Sequence, residues 1–167
     1  MQTTFFHRIY SRAWKKKQLQ KYSDLLPELK ALVSGKTVLD YGLGKAWLWS
    51  FLEKKKIKAK EVHGIDLNEE AVKPRKKGIR YYFSLRDFRE KNNDKKVDLL
   101  VLFDVMHLMK EKELNELKKV VKKKCFILVS LPESKKGLLH NLKLGKVFWE
   151  GKIGKEEVDF ACLLKPS

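Results

Sequence analysis

A chain of 167 residues, 43% of them hydrophobic, is long enough for one domain with a buried core and leaves little room for an added substrate domain. No apolar run approaches the roughly 18 residues that a spanning helix requires, so no membrane span is expected, and two cysteines set inside apolar runs point to a reduced, cytoplasmic protein rather than a disulfide scaffold. The 38 Lys and Arg outweigh 21 Asp and Glu to give +17, an imbalance that a thermophilic surface rich in both signs does not produce and that suits a polyanionic partner, most simply nucleic acid.

From Phe5 to Gln20 aromatic and basic residues are mixed. Phe6, Ile9, Tyr10, Ala13 and Trp14 recur at helical spacing, which predicts a helix whose apolar stripe packs on the rest of the fold. The same segment also suits a lid, with aromatics stacking on a base and Arg12 and Lys15 to Lys17 holding phosphates. Pro27 fits the first turn of a second helix, and Ser34-Gly35 ends that helix before a strand starting at Thr37. Residues 1–35 read as a helical segment and 36–167 as a core, together one domain.

Val38 to Ala46, VLDYGLGKA, joins an apolar run to an acid and two glycines spaced one residue apart, and a helix-like stretch, Trp47 to Lys55, follows. A strand, a tight turn and a helix start present backbone N–H groups and a positive helix end to a ligand. The dinucleotide fingerprint G-x-G-x-x-G would need its third glycine at Trp47 and fits poorly. Val62 to Asp66, VHGID, reads as a second strand whose closing acid lies 22 residues beyond Gly44. An acid there either accepts hydrogen bonds from ribose hydroxyls or caps the next helix. Asn68 to Lys73 can form only a short helix before Pro74, and Ile79 to Phe83 is a third strand. Val97 to Phe103, VDLLVLF, is apolar enough for a central parallel strand covered on both faces. Ligands collect at the carboxyl ends of such strands, so Asp104 and His107 are well placed to face one. Glu111 to Val121 is an amphipathic helix; its Lys118 and Lys119 join Lys122 to Lys124 in the densest basic cluster. Cys125 to Leu131 is a fifth strand, and Lys146 to Ile153 and Glu157 to Lys165 pair around Gly154-Lys155-Glu156. The four histidines lack ligand spacing, so no metal is expected.

D-x-G-x-G at Asp40 to Gly44, the acid Asp66, the segment Ser84-Leu85-Arg86-Asp87-Phe88, and D-V-x-H-x at Asp104 to Leu108 together resemble the class I S-adenosylmethionine-dependent methyltransferases. Ala46 stands where that first motif usually has another glycine. The resemblance implies an α/β fold, a doubly wound, mostly parallel seven-stranded sheet with a C-terminal antiparallel hairpin. It implies S-adenosylmethionine as cofactor, held by Asp40, Tyr41, Gly42 and Gly44 at the turn, by Asp66 on the ribose and by Leu67 against the adenine. Asp87 would bond the adenine amino group, unless it serves instead to cap a helix, and Phe88 and Phe103 would also contact the cofactor. His107 would act as base, with Asp104 orienting it or contacting the cofactor's amino group, although a histidine at this point can also be structural. No N-P-P-Y or D-P-P-Y sequence follows the central strand, which argues against methylation of exocyclic base amino groups. The expected activity is methyl transfer, with RNA the leading acceptor on charge; a small molecule, a protein side chain, or a non-catalytic basic RNA-binding module are the alternatives. Oligomeric state is left open.

Overall fold

The computed structural model describes residues 11–70, 72–73, 75–135, 146–153 and 159–165. Phe6, Ile9 and Tyr10 of the N-terminal stripe and the Gly154 to Glu156 turn lie outside the described residues. Helix α1 (Arg12–Asp24) starts at Ser11, whose hydroxyl accepts the Trp14 amide at 3.2 Å. Helix α2 (Leu26–Val33) carries Pro27 in its first turn, where the missing N–H costs nothing. Then come β1 (Thr37–Tyr41), α3 (Trp47–Lys54), β2 (Glu61–Ile65), β3 (Ile79–Tyr82), α4 (Leu85–Lys91), β4 (Val97–Phe103), α5 (Glu111–Lys119), β5 (Val121–Pro132), β6 (Lys146–Ile153) and β7 (Asp159–Lys165). No described helix is long and apolar enough to cross a membrane.

The sheet has seven strands in the order β3-β2-β1-β4-β5-β7-β6. Strands β1 to β5 pair in parallel, while β7 runs antiparallel to both β5 and β6. Side chains alternate across it: Leu39, Leu100, Leu102, Ile127 and Val129 pack with Phe88, Leu114 and Leu117 of α4 and α5. Val38, Leu99, Val101 and Leu128 pack on the other face with Leu25 between α1 and α2, Leu29 of α2 and Leu52 of α3. Burial on both faces explains why these strands read as unbroken apolar runs. The expected doubly wound sheet with a closing antiparallel pair is therefore the observed one.

Two local expectations differ. Asn68 to Lys73 forms turns rather than a helix where it is described, because Asn68 donates its amide to Asp66 and accepts that of Glu70, which satisfies these groups locally. Strand β5 begins four residues before Cys125, since Val121 already pairs with Val97 before a register shift that leaves Lys122 to Lys124 exposed. Cys162 is buried and Cys125 half-buried, both free; burial pushes the Cys162 thiol up to about 12, which keeps it unreactive.

Candidate active site

The carboxyl ends of β1, β2 and β4 and the start of β7 border one cavity of about 1210 Å³. At its floor the chain leaves β1 through Gly42 (φ +85°) and Gly44 (φ +53°). A Cβ at Gly42 would lie 3.0 Å from the Cβ of Val105, so glycine serves both the turn and the close approach of the loop after β4. Ala46 occupies the left-handed region at φ +54° as the N-cap of α3. That conformation costs about 1–2 kcal/mol for an L-residue; burial of the methyl offsets about 0.8 kcal/mol of it, and the Ala46 amide donating to the Leu43 carbonyl at 3.1 Å helps hold the turn without the usual glycine.

Asp66 locks this turn. Its carboxylate accepts the Gly44 amide at 2.8 Å and the Asn68 amide at 2.9 Å. Burial raises its pKa above the usual carboxylate range, and those two amides counter part of the rise. Asp40 is the more perturbed acid: burial drives it up to about 7, against the Trp49 indole N–H that it accepts at 2.8 Å, with Asp66 adding repulsion. The folded protein therefore binds a proton at Asp40 that the unfolded chain has already lost, and this contribution to stability falls as pH rises from about 4 to about 7, by up to about 1.4 kcal/mol per unit. Asp40→Asn should gain stability relative to the parent across that window. Urea unfolding of both proteins at pH 5 and pH 8 checks the sign.

Helix α1 forms one wall. Trp14, Lys17, Gln18 and Tyr22 line the cavity, and Tyr22 stacks on Phe103 with centroids 5.8 Å apart. Burial, together with the nearby Asp40 and Asp104, raises the Tyr22 phenol well above its ordinary value. Below them Lys21, 2% exposed, bridges two acids: its Nζ lies 2.6 Å from Asp104 Oδ2 and 2.6 Å from Asp159 Oδ2. Ser130 Oγ is 3.3 Å from the same nitrogen, and Gln18 Nε2 donates to Asp104 Oδ2 at 2.6 Å. Asp104 itself sits at φ +56°, a left-handed conformation uncommon outside glycine.

In this arrangement Asp104 is held apart from His107. Its carboxylate is taken by Lys21 and Gln18, and no hydrogen bond joins it to His107. His107 does line the cavity, from a single 3₁₀ turn (Met106–Leu108), and its buried Nδ1 has no partner among the described residues. Burial lowers its pKa, outweighing the opposite pull of Asp104, so the ring is neutral at pH 7 and can accept a proton.

Asp40, Tyr41, Gly42, Gly44, Asp66, Leu67 and Phe103 all border the cavity, so those foreseen positions converge. Leu67 is 70% exposed there, an apolar side chain left largely uncovered by the described residues. Tyr41 donates to Glu113 of α5 and borders a second, adjoining hollow of about 630 Å³ between α4 and α5. Asp87 and Phe88 do not converge. Asp87 belongs to the cap of α4: its amide donates to Ser84 Oγ at 3.0 Å, its carboxylate accepts the Phe83 amide at 3.2 Å, and Lys91 pairs with it at 2.8 Å. Phe88 is fully buried edge-on to His63 and Tyr82, in the core beneath the hollow rather than in it.

Sequence reading missed Gln18, Lys21, Tyr22, Glu113 and Asp159. A signal existed for three of them, because Gln18, Lys21, Tyr22 and Leu25 share one helix face and all four are buried. The first two are polar and drop out of an apolar pattern.

Comparison with known proteins agrees with this geometry. The profile of the family described as "Methyltransferase domain" matches residues 32–161. A search of curated proteins finds no match. Among solved structures, an S-adenosylmethionine-dependent methyltransferase from Aquifex aeolicus is similar at 21% identity and a TM-score of 0.69, covering 96% of each chain. Magnesium protoporphyrin IX methyltransferase from Synechocystis PCC 6803, solved with S-adenosylmethionine, has 14% identity and a TM-score of 0.71 over 100% of this chain and 92% of that one. The N-methyltransferase NodS from Bradyrhizobium japonicum WM9, solved with S-adenosylhomocysteine, has 12% identity and a TM-score of 0.68 over 95% and 90%. With a family profile spanning most of its length and the sheet order described above, this chain belongs to the methyltransferase-domain family and carries the class I fold of the S-adenosylmethionine-dependent enzymes.

Proposed function

We propose that the chain transfers a methyl group from S-adenosylmethionine to an acceptor, and that the acceptor is RNA. The observation that carries the first part is the cavity at the strand ends, where a glycine turn that a Cβ would obstruct, an acid that could take a ribose, an uncovered Leu67 and an unpartnered His107 nitrogen meet. At about 1210 Å³ it exceeds the roughly 300–1,000 Å³ of a typical single-ligand site, which leaves space for a donor and an acceptor group together. Asp40, Asp66, Asp104, Asp159 and Glu113 border it; Lys21 already neutralises Asp104 and Asp159, and Asp66 and Glu113 are the carboxylates left to favour a cation.

When bound, S-adenosylmethionine supplies an electrophilic methyl on a sulfonium. Asp66 would hold the ribose hydroxyls, Leu67 would cover the base, and Asp40, Gly42 and Gly44 would receive the methionine end. Such chemistry needs chiefly orientation, which contributes about 7–11 kcal/mol in favourable cases. His107 supplies a base for an acceptor that must lose a proton. The acceptor class rests on the excess of Lys and Arg over Asp and Glu and on Lys16, Lys17 and Lys45 at the cavity's border.

Titration with S-adenosylhomocysteine tests the donor, and absence of binding by the folded protein overturns it. Incubation with labelled donor and separate RNA, protein and metabolite fractions tests the acceptor; label in either of the latter two alone overturns RNA. With the labelled fraction as substrate, His107→Ala should lower turnover by about 10²-fold or more and leave S-adenosylhomocysteine affinity unchanged. Full turnover in that variant would remove His107 from the chemistry.

A further inference from the structure

The strand order brings lysines together along the rim of the sheet opposite the cavity. The cavity end mixes the carboxylates described above with Lys16, Lys17 and Lys45, whereas the other end carries a row of lysines. Lys60, Lys36 and Lys96 immediately precede β2, β1 and β4; Lys124 lies in the irregular opening of β5; Lys165 closes β7 and Lys146 opens β6. All six are exposed, and they stand on six neighbouring strands in the order β2-β1-β4-β5-β7-β6. Neighbours in this row are physically joined: the Lys60 amide donates to the Lys36 carbonyl at 2.8 Å, and Lys146 lies directly opposite Lys165 in the ladder. At strand spacings of about 4.8 Å the row is roughly 24 Å long.

Nothing in the fold requires it. Like charges opposite one another in a sheet are destabilising. The helix dipole, which accounts for lysines in the last turns of α3 and α5, fades within a turn and does not reach strand starts. The acids on this rim are already engaged, Glu61 with Arg80 at 3.8 Å and Asp98 with Lys122 at 2.6 Å, and none of the six lysines is ion-paired to a described carboxylate. Of the large exposed apolar residues described, Leu67, Phe83 and Leu108 lie at the cavity end of the sheet, so only Val147 is available on the lysine rim to enter a bilayer.

We infer that this row is a docking surface for the phosphate backbone of RNA, distinct from the cavity and on the opposite rim of the sheet. A line of compact ammonium groups without an apolar wedge matches evenly spaced phosphates, and it reads no base sequence. The inference rests on RNA as the acceptor class. It adds that grip and chemistry are separate, so that the substrate is a folded RNA large enough to span from one rim to the other.

The test is filter retention of unfractionated transfer RNA by the full chain between about 50 and 200 mM salt. Each arm is paired with S-adenosylhomocysteine titration. Lys60→Glu/Lys96→Glu/Lys124→Glu should lower retention at least about tenfold and flatten the log–log salt slope by about 3, with ligand titration unchanged. The corresponding triple glutamine variant should shift in the same direction and keeps the test open if charge reversal prevents folding. Retention and slope at parental values in a folded triple variant overturn the inference. So does a result in which Lys16→Glu/Lys112→Glu, at the cavity end, removes the binding instead. Equal retention on phosphatidylserine vesicles overturns RNA as the occupant. Retention is read without turnover, so a protein that holds RNA on this row and fails to bind S-adenosylhomocysteine keeps the docking surface and loses the methyl-transfer reading.

Discussion

Lys21→Ala is expected to destabilise the protein by about 3–5 kcal/mol, because it leaves Asp104 without a cation and Asp159 with only the more distant Lys17 at 3.4 Å. Lys21 and Asp159 are 2% and 4% exposed at the side chain and Asp104 13%, so solvent screens these contacts little. The cation sits 2.6 Å from a carboxylate on each side, which joins α1 to the end of β4 and the start of β7 in one network. Removing a partner from such a group costs far more than the intact group contributes, since Asp104 has then lost its water without gaining a counter-charge and Asp159 keeps only Lys17. Because α1 also carries Trp14, Gln18 and Tyr22 into the cavity wall, ligand affinity should fall together with stability. Urea unfolding measures the first and S-adenosylhomocysteine titration the second. Lys21→Met/Asp104→Asn should recover at least about 1 kcal/mol over Lys21→Ala, since it removes the carboxylate left without a cation. A Lys21→Ala midpoint equal to the parent's would mean that the network holds nothing in place.

The contrast between that network and the glycine turn marks what sequence can reveal. The turn is local: an apolar strand, an acid and two glycines in succession permit few conformations, and the observed φ values of Gly42 and Gly44 follow from them. The strands were legible for the same reason, because residues buried on both faces leave continuous apolar runs. The lysine–aspartate network is tertiary. Its members lie on α1, β4 and β7, and charged residues in an exposed-looking helix give no sign that the sheet edge will bury them. Asp87 and Phe88 show the opposite case, in which local structure accounts for residues that do not border the cavity. A family resemblance assigned them to the cofactor, but the local rules for a helix start, with Ser84 as cap and Phe88 turned onto the sheet, determine where they point. The lysine row is invisible in the chain for a third reason, since its members come together only once the strand order is known.

Asp66→Ala is expected to weaken S-adenosylhomocysteine binding by about 100-fold while the protein stays folded. One to two charge-assisted hydrogen bonds to ribose hydroxyls, each about 1.5–3 kcal/mol, would account for a loss of that size. The same carboxylate also holds the Gly44 amide at 2.8 Å and the Asn68 amide at 2.9 Å, so its removal loosens the glycine turn on which the methionine end would rest. Stability should fall far less, because Asp66 is half-buried, makes no ion pair, and frees amides that water at the cavity can reach. Asp66→Asn separates the two roles. Its amide oxygen can still accept one of the backbone amides, so the turn is largely kept while the charge that favours the ribose is gone. If the sugar contact dominates, Asn and Ala should lose comparable affinity; if the turn dominates, Asn should stay near the parent. Unchanged affinity in both variants would show that the acid at the tip of β2 serves the loop alone and that the nucleoside is gripped elsewhere.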